Sequence, residues 1–402
     1  MNQPYDILII GGGMTGASLA IALSGHGLHI GLVEAAPLKV DAVPNYDDRG
    51  IALSHGSQRI FSALGLWDAM HAQAQPIEHI HVSEQGGFGF THLHAAEENV
   101  PALGQVITAR DLGAALLPAL EQCTDVEIIA PARVQWARVE DEYARIGLED
   151  RELQSRLLIA ADGGQSLVRN QLGFACRRRE YQQSAIIANI TPGRPHGNSA
   201  WERFTGHGPM AMLPMTGGRC ALVWTVADTD VGQVLSLNDR DFLARVQQGF
   251  GWRLGKLQRC GKRSAYPLSQ LWVPEAVQHR AVVIGNAAHT LHPVAGQGFN
   301  LGLRDVAVLA EVLLQAVRQG QDPGLLDSLG HYQQWRKNDQ RGVVEITNLL
   351  VRGFSNQLLP MKLARNLGVL GLETLPPARH AIARAAMGLH GRLPRLSRGL
   401  PL

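Results

Sequence analysis

Residues 5–10 (YDILII) form an unbroken apolar run that stops at Gly11, the pattern of a short strand buried on both faces. Small and apolar residues at helical spacing follow in MTGASLAIALSGHG, and HIGLVEA (His29 to Ala35) predicts a second strand. Strand, glycine turn, helix and strand together make a βαβ unit. The stretch from Arg49 to Trp67 predicts a loop and then a helix in QRIFSALGLW, and Ala109 to Cys123 predicts an amphipathic helix. Residues 126–150 read as hairpin-like strands, and Arg156 to Gly164 as a further buried strand. The pattern changes between Ala185 and Val226, where SAIIANI, AWERFT, PMAMLPM and CALVWTV are separated by the turn signals TGHG and TGGR. This predicts an antiparallel sheet inserted into the first domain. AVVIGNAAH returns to the strand-then-glycine pattern, and after Glu311 the chain is mostly helical.

The fold class predicted is α/β, a Rossmann-like domain with an inserted antiparallel-sheet domain and a helical C-terminal segment. The boundaries expected are 1–180 and 276–345 for the first domain, 181–275 for the sheet domain and 346–402 for the basic helical segment. A chain of 402 residues is too long for one compact core, which fits this division. With 45% hydrophobic and 18% charged residues it is globular, and a net charge of +2 carries no nucleic-acid signature. Cys123, Cys176, Cys220 and Cys260 lie at least forty residues apart, so free thiols are expected, not a disulfide frame. The beginning MNQPYDILIIGGG has no basic leader and the chain no apolar run of spanning length, which points to a cytoplasmic protein.

Three stretches carry the candidate chemistry. Gly11, Gly13 and Gly16 make G-x-G-x-x-G between a strand and a helix start, and Glu34 ends the second strand. The first glycine allows a tight turn, the second the approach of a pyrophosphate, the third close helix–strand packing, while the acid accepts ribose hydroxyls. A glycine-rich turn without a ligand has the same local pattern. The second stretch, Asp162-Gly163 with Ser166 and Arg169, also suits an ordinary turn before a helix. The third, IGNAAHTLHPVAGQGFNLGLRD (Ile284 to Asp305), is a bare loop running into a helix, whose start can face an electron-rich group.

In this order and spacing the three stretches resemble the flavoprotein monooxygenases typified by the aromatic hydroxylases, which combine a glycine motif, a central DG motif and a late GD motif followed by HPxxGQGxN. GNAAHTLHPVAGQGFNLG, ERFTGHGPMAMLPM and GKRSAYPL are more narrowly similar to the ubiquinone-biosynthesis hydroxylases of that group. The resemblance implies FAD extended across the first domain, NAD(P)H as electron donor, and O2 adding at the flavin C4a carbon to give the hydroperoxide that attacks a phenol. Cofactor contacts are implied for Gly11, Gly13, Gly16, Glu34, Arg110, Asp162, Gly285, Asn286, Pro293, Gly296, Gly298 and Asn300. The chain departs from the family pattern at Asn286, which stands where an aspartate is usual and keeps an acceptor oxygen without the charge. Arg49 matches an arginine near the active site, and with His292 it is the candidate catalytic residue. His289 and His292 lack an acidic cluster, so no metal site is expected. Phe204, Met212 and Trp224 are candidates for the substrate pocket.

The implied substrate is a polyprenyl phenol. Residues after Glu345 hold eight Lys/Arg and one acid, Glu373, among many apolar side chains. This segment suits a helical subdomain packing its apolar face on the body, and equally contact with a membrane surface or a ubiquinone-biosynthesis protein complex, peripheral at the inner membrane, with RLPRLSRGLPL at its end loose. The same fold also serves flavin-dependent prenyl reductases, and an assembly subunit holding FAD for structure alone is the reading outside catalysis.

Overall fold

The strand Tyr5–Ile10 pairs in parallel with Ile30–Val33 on one side and Glu152–Ala160 on the other. Ile7, Leu8 and Ile9 are fully buried, which explains the unbroken apolar run. Val126–Ile129 and Ala281–Val283 extend the sheet in parallel at its two sides. Trp136–Val139 and Ala144–Gly147 form the expected hairpin beside Glu152–Ala160. The helix Met14–Leu23 returns across this sheet. A Cβ on Gly16 would lie 1.9 Å from the Gly11 carbonyl oxygen, so the helix can press onto the strand end only with glycine there. The computed structural model describes residues 3–38, 49–206, 208–292, 296–355 (346–355 by backbone only), 366, 368, 370–371 and 373–402.

The second sheet has nine strands and is larger than the sequence boundaries 181–275 allow. Its long strand begins at Arg177, and His79–Glu84 and Phe90–His94 join it from the N-terminal part of the chain. His79–Glu84 pairs in parallel with Ser199–Thr205, so the sheet is mixed, not purely antiparallel. The helix Asp239–Phe250 covers its outer face through Phe242, Val246 and Phe250. A three-stranded sheet of Gly50–Ser54, Gly104–Thr108 and Gln75–Ile77 lies alongside. Gly50–Ser54 falls where the sequence predicts a loop, and the helix then begins at His55, capped by the Ser54 side chain.

The helix Gln297–Arg318 is buried without interruption from Asn300 to Ala310. Inside it Asp305 is fully buried. Its Oδ2 accepts from the Gly285 N–H at 3.1 Å and from His289 Nε2 at 2.5 Å. Its Oδ1 accepts from Arg336 Nε at 2.8 Å and Gln340 Nε2 at 2.9 Å. One carboxylate thereby ties the loop after Ala281–Val283 and the helix Leu326–Ser355 to the central helix. Burial alone would raise the Asp305 carboxyl, but His289 and Arg336 beside it hold it well below the usual carboxylate range.

The chain end is not loose. Leu396 and Ser397 are buried, with Leu396 in the main core. Arg59 Nη2 donates to the Arg398 carbonyl at 2.7 Å, Trp335 Nε1 to the Arg392 carbonyl at 2.9 Å, and the Arg395 N–H to Glu311 at 2.6 Å. One leucine filling a pocket and three pinned backbone groups outweigh the polar composition that suggested a free tail. No helix among the described residues is long and apolar enough to cross a membrane.

Asp305→Ala is expected to lower unfolding free energy at pH 7 by about 3–5 kcal/mol, because Arg336 would stay buried without its counter-charge. A depressed carboxyl stabilises the folded state above its unfolded pKa of about 3.9, and that contribution is lost as the pH falls towards the folded value. Denaturant titrations should therefore show the wild type losing its advantage over the variant as the pH drops below about 4. An equal difference at pH 7 and pH 3 would contradict this role.

Candidate FAD site

The carboxyl ends of the parallel strands and the inner face of the nine-stranded sheet enclose one cavity of about 1690 Å³. Sites for drug-sized molecules hold roughly 300–1,000 Å³, so this one has room for an extended dinucleotide and a second molecule. Its position outside the strand ends is where α/β sheets bind ligands.

At one end lie Gly11, Gly13, Thr15 and Glu34. Gly11 has φ +107°, and a Cβ there would sit 2.5 Å from the Ala161 carbonyl oxygen, so this turn requires glycine. A Cβ on Gly13 would meet no protein atom within 4 Å: its bare backbone faces the cavity. Gly13 caps the helix Met14–Leu23, with no side-chain cap and no acid in the first turn, so the N–H groups and the dipole are open to an anion. The Glu34 carboxylate accepts from the Gly12 N–H at 2.7 Å and the Ala36 N–H at 2.9 Å. These bonds fix its direction and leave lone pairs for ribose hydroxyls. A pyrophosphate at Gly13 and an adenosine ribose at Glu34 fit these residues.

In the middle, Asp162 does two things. Its Oδ2 accepts from the Leu167 N–H at 2.9 Å, capping the short helix Leu167–Gln171, as the plain turn reading expects. Its Oδ1 is buried at the cavity wall without a partner among the described residues, an acceptor that a ligand hydroxyl would satisfy. Gly285 (φ +56°) is not on the wall and packs its backbone on Thr15. Asn286 next to it is exposed on the cavity wall. Gly296 and Gly298 also line the cavity, and Gly298 has open space where a Cβ would be. Pro293 lies outside the described residues.

Asn300 touches the cavity, but its amide is already committed. Its Oδ1 accepts from the Ser54 N–H at 2.8 Å and the Ser57 hydroxyl at 2.7 Å, and its Nδ2 donates to the Ala52 and Gly296 carbonyls, each at 2.8 Å. Asn300 therefore locks the strand Gly50–Ser54 to the loop and is a positioning residue in place of the expected ligand contact.

The roof is aliphatic and aromatic: Ala185, Ile187, Phe204, Leu213, Val223 and Leu268. Phe204 is there as expected, whereas Met212 and Trp224 point to the other face. Strand side chains alternate, so beside them Ala211, Leu213 and Val223 face the cavity, while Trp224 packs 6.2 Å from the Phe242 ring. Arg49 lines the cavity with its guanidinium 5.7 Å from the centre of the Tyr266 ring.

Two further candidates stand elsewhere. Arg110 is off the cavity wall, with Nη2 3.4 Å from Asp111. The arginine at the nucleotide end is Arg133, on the loop after Val126–Ile129. The position at a parallel strand's carboxyl end was the signal for it. His292 is buried edge-on to Tyr181 at 5.2 Å, off the wall, and burial pushes its ring down to about 4. It is neutral at neutral pH and packs. His289 is taken up by Asp305. Among the described residues no group of side chains could hold a metal ion.

The family described as "FAD binding domain" matches residues 4–347. The ubiquinone hydroxylase UbiL of Rhodospirillum rubrum is 38% identical over 100% of this chain and 94% of its own length. The 3-demethoxyubiquinol 3-hydroxylase of Escherichia coli K12 is 33% identical over 96% of this chain and 100% of its own. The crystal structure of p-nitrophenol 4-monooxygenase PnpA from Pseudomonas putida DLL-E4 superposes with a TM-score of 0.79 over 98% of this chain and 100% of that one, at 17% identity, which speaks for the fold. A cavity with bare glycine backbone and a fixed acid at one end, on a chain aligned along its whole length with these enzymes, is that of an FAD-dependent monooxygenase, and the chain belongs to the FAD-binding family that includes the ubiquinone-biosynthesis hydroxylases.

Proposed function

We propose that this protein hydroxylates the ring of a polyprenylated phenol in ubiquinone biosynthesis, with NAD(P)H as electron donor and O2 as co-substrate. The observation that carries the reading is the continuity of the cavity, which runs from Gly13 and Glu34 to the apolar roof without a dividing wall. Bound there, FAD supplies the redox chemistry and the activation of oxygen. The chain's own part is to hold and to shield. Gly13 and Glu34 would take the adenosine half, Asp162 and Asn286 the chain between the two halves, and Gly296 and Gly298 the approach of the flavin. Ile187, Leu213, Val223 and Leu268 keep water from the reacting ring and accept an apolar substrate. Relatives named for ubiquinone intermediates support the substrate class. The sequence motifs resemble those of 2-octaprenyl-6-methoxyphenol hydroxylase, and a sibling enzyme acting at another ring position is the alternative, as the similarity to the 3-demethoxyubiquinol 3-hydroxylase illustrates.

The substrate tail has to leave lipid, since each buried CH2 is worth about 0.8 kcal/mol. Of the segment 346–402 the helix Pro376–Ala386 serves this best. Ile382 is 44% exposed yet lines the cavity, and Leu375 before it is 57% exposed. We place the contact with a membrane surface there, and not on the pinned tail.

Four outcomes are expected. Gly13→Val should fold normally by circular dichroism and lose retained flavin, because its side chain fills the pyrophosphate position; full flavin content would refute the placement. Wild-type protein given NAD(P)H, 18O2 and a prenyl phenol should form product heavier by one labelled oxygen, and Val223→Trp should keep flavin while kcat/KM falls about tenfold or more. Nucleotide oxidation with a saturated side chain and no label would make it a prenyl reductase, and a flavin-loaded protein with no nucleotide oxidation an assembly subunit. Leu375→Glu should cut sedimentation with anionic vesicles while activity on a short-tailed phenol persists; unchanged sedimentation would remove this helix from the membrane contact.

A further inference from the structure

The long strand Arg177–Thr191 opens with three consecutive arginines, all exposed. Strand alternation sets Arg177, Arg179 and Tyr181 on one face, with Arg178 and Glu180 on the other. On the first face the Arg177 guanidinium lies 5.4 Å from the Trp272 ring centre, and that of Arg179 5.4 Å from the Tyr181 ring centre. Trp272 belongs to the neighbouring strand, directly opposite Arg177. That strand, Ser264–Trp272 (SAYPLSQLW), carries no acid. None of the three arginines has a carboxylate within ion-pair distance among the described residues. The result is a basic surface with two cations laid on two aromatic rings.

The patch adjoins the cavity by two routes. The strand shifts register between Glu180 and Ser184, with Gln182 at φ +55°, and beyond the shift Ala185 and Ile187 line the cavity. Three residues separate Tyr181 from Ala185, four steps or about 13 Å of strand. On the other side Leu271 and Trp272 pair with Thr290 and His289, and Thr290 lies on the cavity wall near Asn286.

We infer that Arg177 and Arg179, with Trp272 and Tyr181, dock the phosphate-bearing adenosine half of the reduced nicotinamide dinucleotide, outside the cavity and beside its flavin end. Guanidinium groups pair with phosphate oxygens through two N–H donors, and the rings beneath them hold the guanidinium planes where an adenine can stack. An adenosine with an extra 2′-phosphate gains more from two unpaired arginines than one without, so the patch favours NADPH over NADH. This rests on the hydroxylase reading, which needs such a donor.

The test uses the flavin-loaded full chain with 2′,5′-ADP and 5′-ADP as probes. Binding of 2′,5′-ADP should be tighter than that of 5′-ADP and should weaken with salt. The double variant Arg177→Gln/Arg179→Gln should bind 2′,5′-ADP roughly tenfold or more weakly, the size expected when charge-assisted contacts are lost. Under anaerobic mixing with NADPH its flavin should be reduced with an apparent Kd raised by the same factor and an unchanged limiting rate. Arg177→Lys/Arg179→Lys should recover part of the affinity, since the charge remains. Equal 2′,5′-ADP binding by Gln variant and wild type, with normal flavin reduction in both, would overturn the inference and leave the hydroxylase reading intact. Wild-type flavin that neither NADPH nor NADH reduces would overturn both. Loss of anionic-vesicle binding in the Gln variant, with 2′,5′-ADP binding unchanged, would make the patch a lipid-phosphate contact and overturn it as well.

Discussion

A single buried carboxylate holds the architecture of the site. Asp305 sits in a fully buried stretch of helix, where an unpaired charge would be prohibitive, and it is compensated from three directions by Gly285, His289 and Arg336. Those partners come from the loop that leaves the parallel sheet and from the following helix. The loop 285–289 can therefore take only a narrow set of positions, and Asn286, next to the anchored Gly285, is presented to the cavity. Asn300, about one and a half turns before Asp305, repeats the device towards the strand Gly50–Ser54. Bare glycine backbone becomes a usable cradle only when its neighbours are fixed this firmly.

The two sheets then divide the work. The parallel sheet ends in groups that suit an anion and sugar hydroxyls, Gly13 and Glu34, while the nine-stranded sheet offers Ile187, Leu213 and Val223. The same strands turn Met212 and Trp224 outward to the helix Asp239–Phe250. Each strand of the roof thus serves a cavity on one face and a core on the other, and its two faces differ in size more than in polarity.

That similarity of faces decides what could be read from the chain. The βαβ unit, the glycine turn and Glu34 were legible because they are local: spacing, turn chemistry and strand burial all lie within Tyr5 to Ala35. The parity of the roof was not, because Met212 and Leu213 are both apolar and only the docking of a distant helix separates them. The strands His79–Glu84 and Phe90–His94 went unread although Ile80, Val82, Thr91 and Leu93 alternate towards the cavity, because their other positions carry histidines, an unusual polar face. Arg110 sat at a helix start, where an anion contact is plausible from sequence, but it is not on the cavity wall. The Asp305 network joins residues from Gly285 to Gln340, and no local pattern announces it.

The central claim is that one continuous cavity holds the cofactor at its glycine end and an apolar phenol beneath the sheet. A crystal structure of the protein soaked with FAD and a short-tailed prenyl phenol tests it most directly. The account predicts pyrophosphate density against the Gly13 backbone, ribose hydroxyls on Glu34, and the phenol ring between the flavin and Val223. FAD bound with its adenosine half away from Glu34, or a phenol seated outside the roof formed by Ile187, Leu213 and Val223, would contradict it.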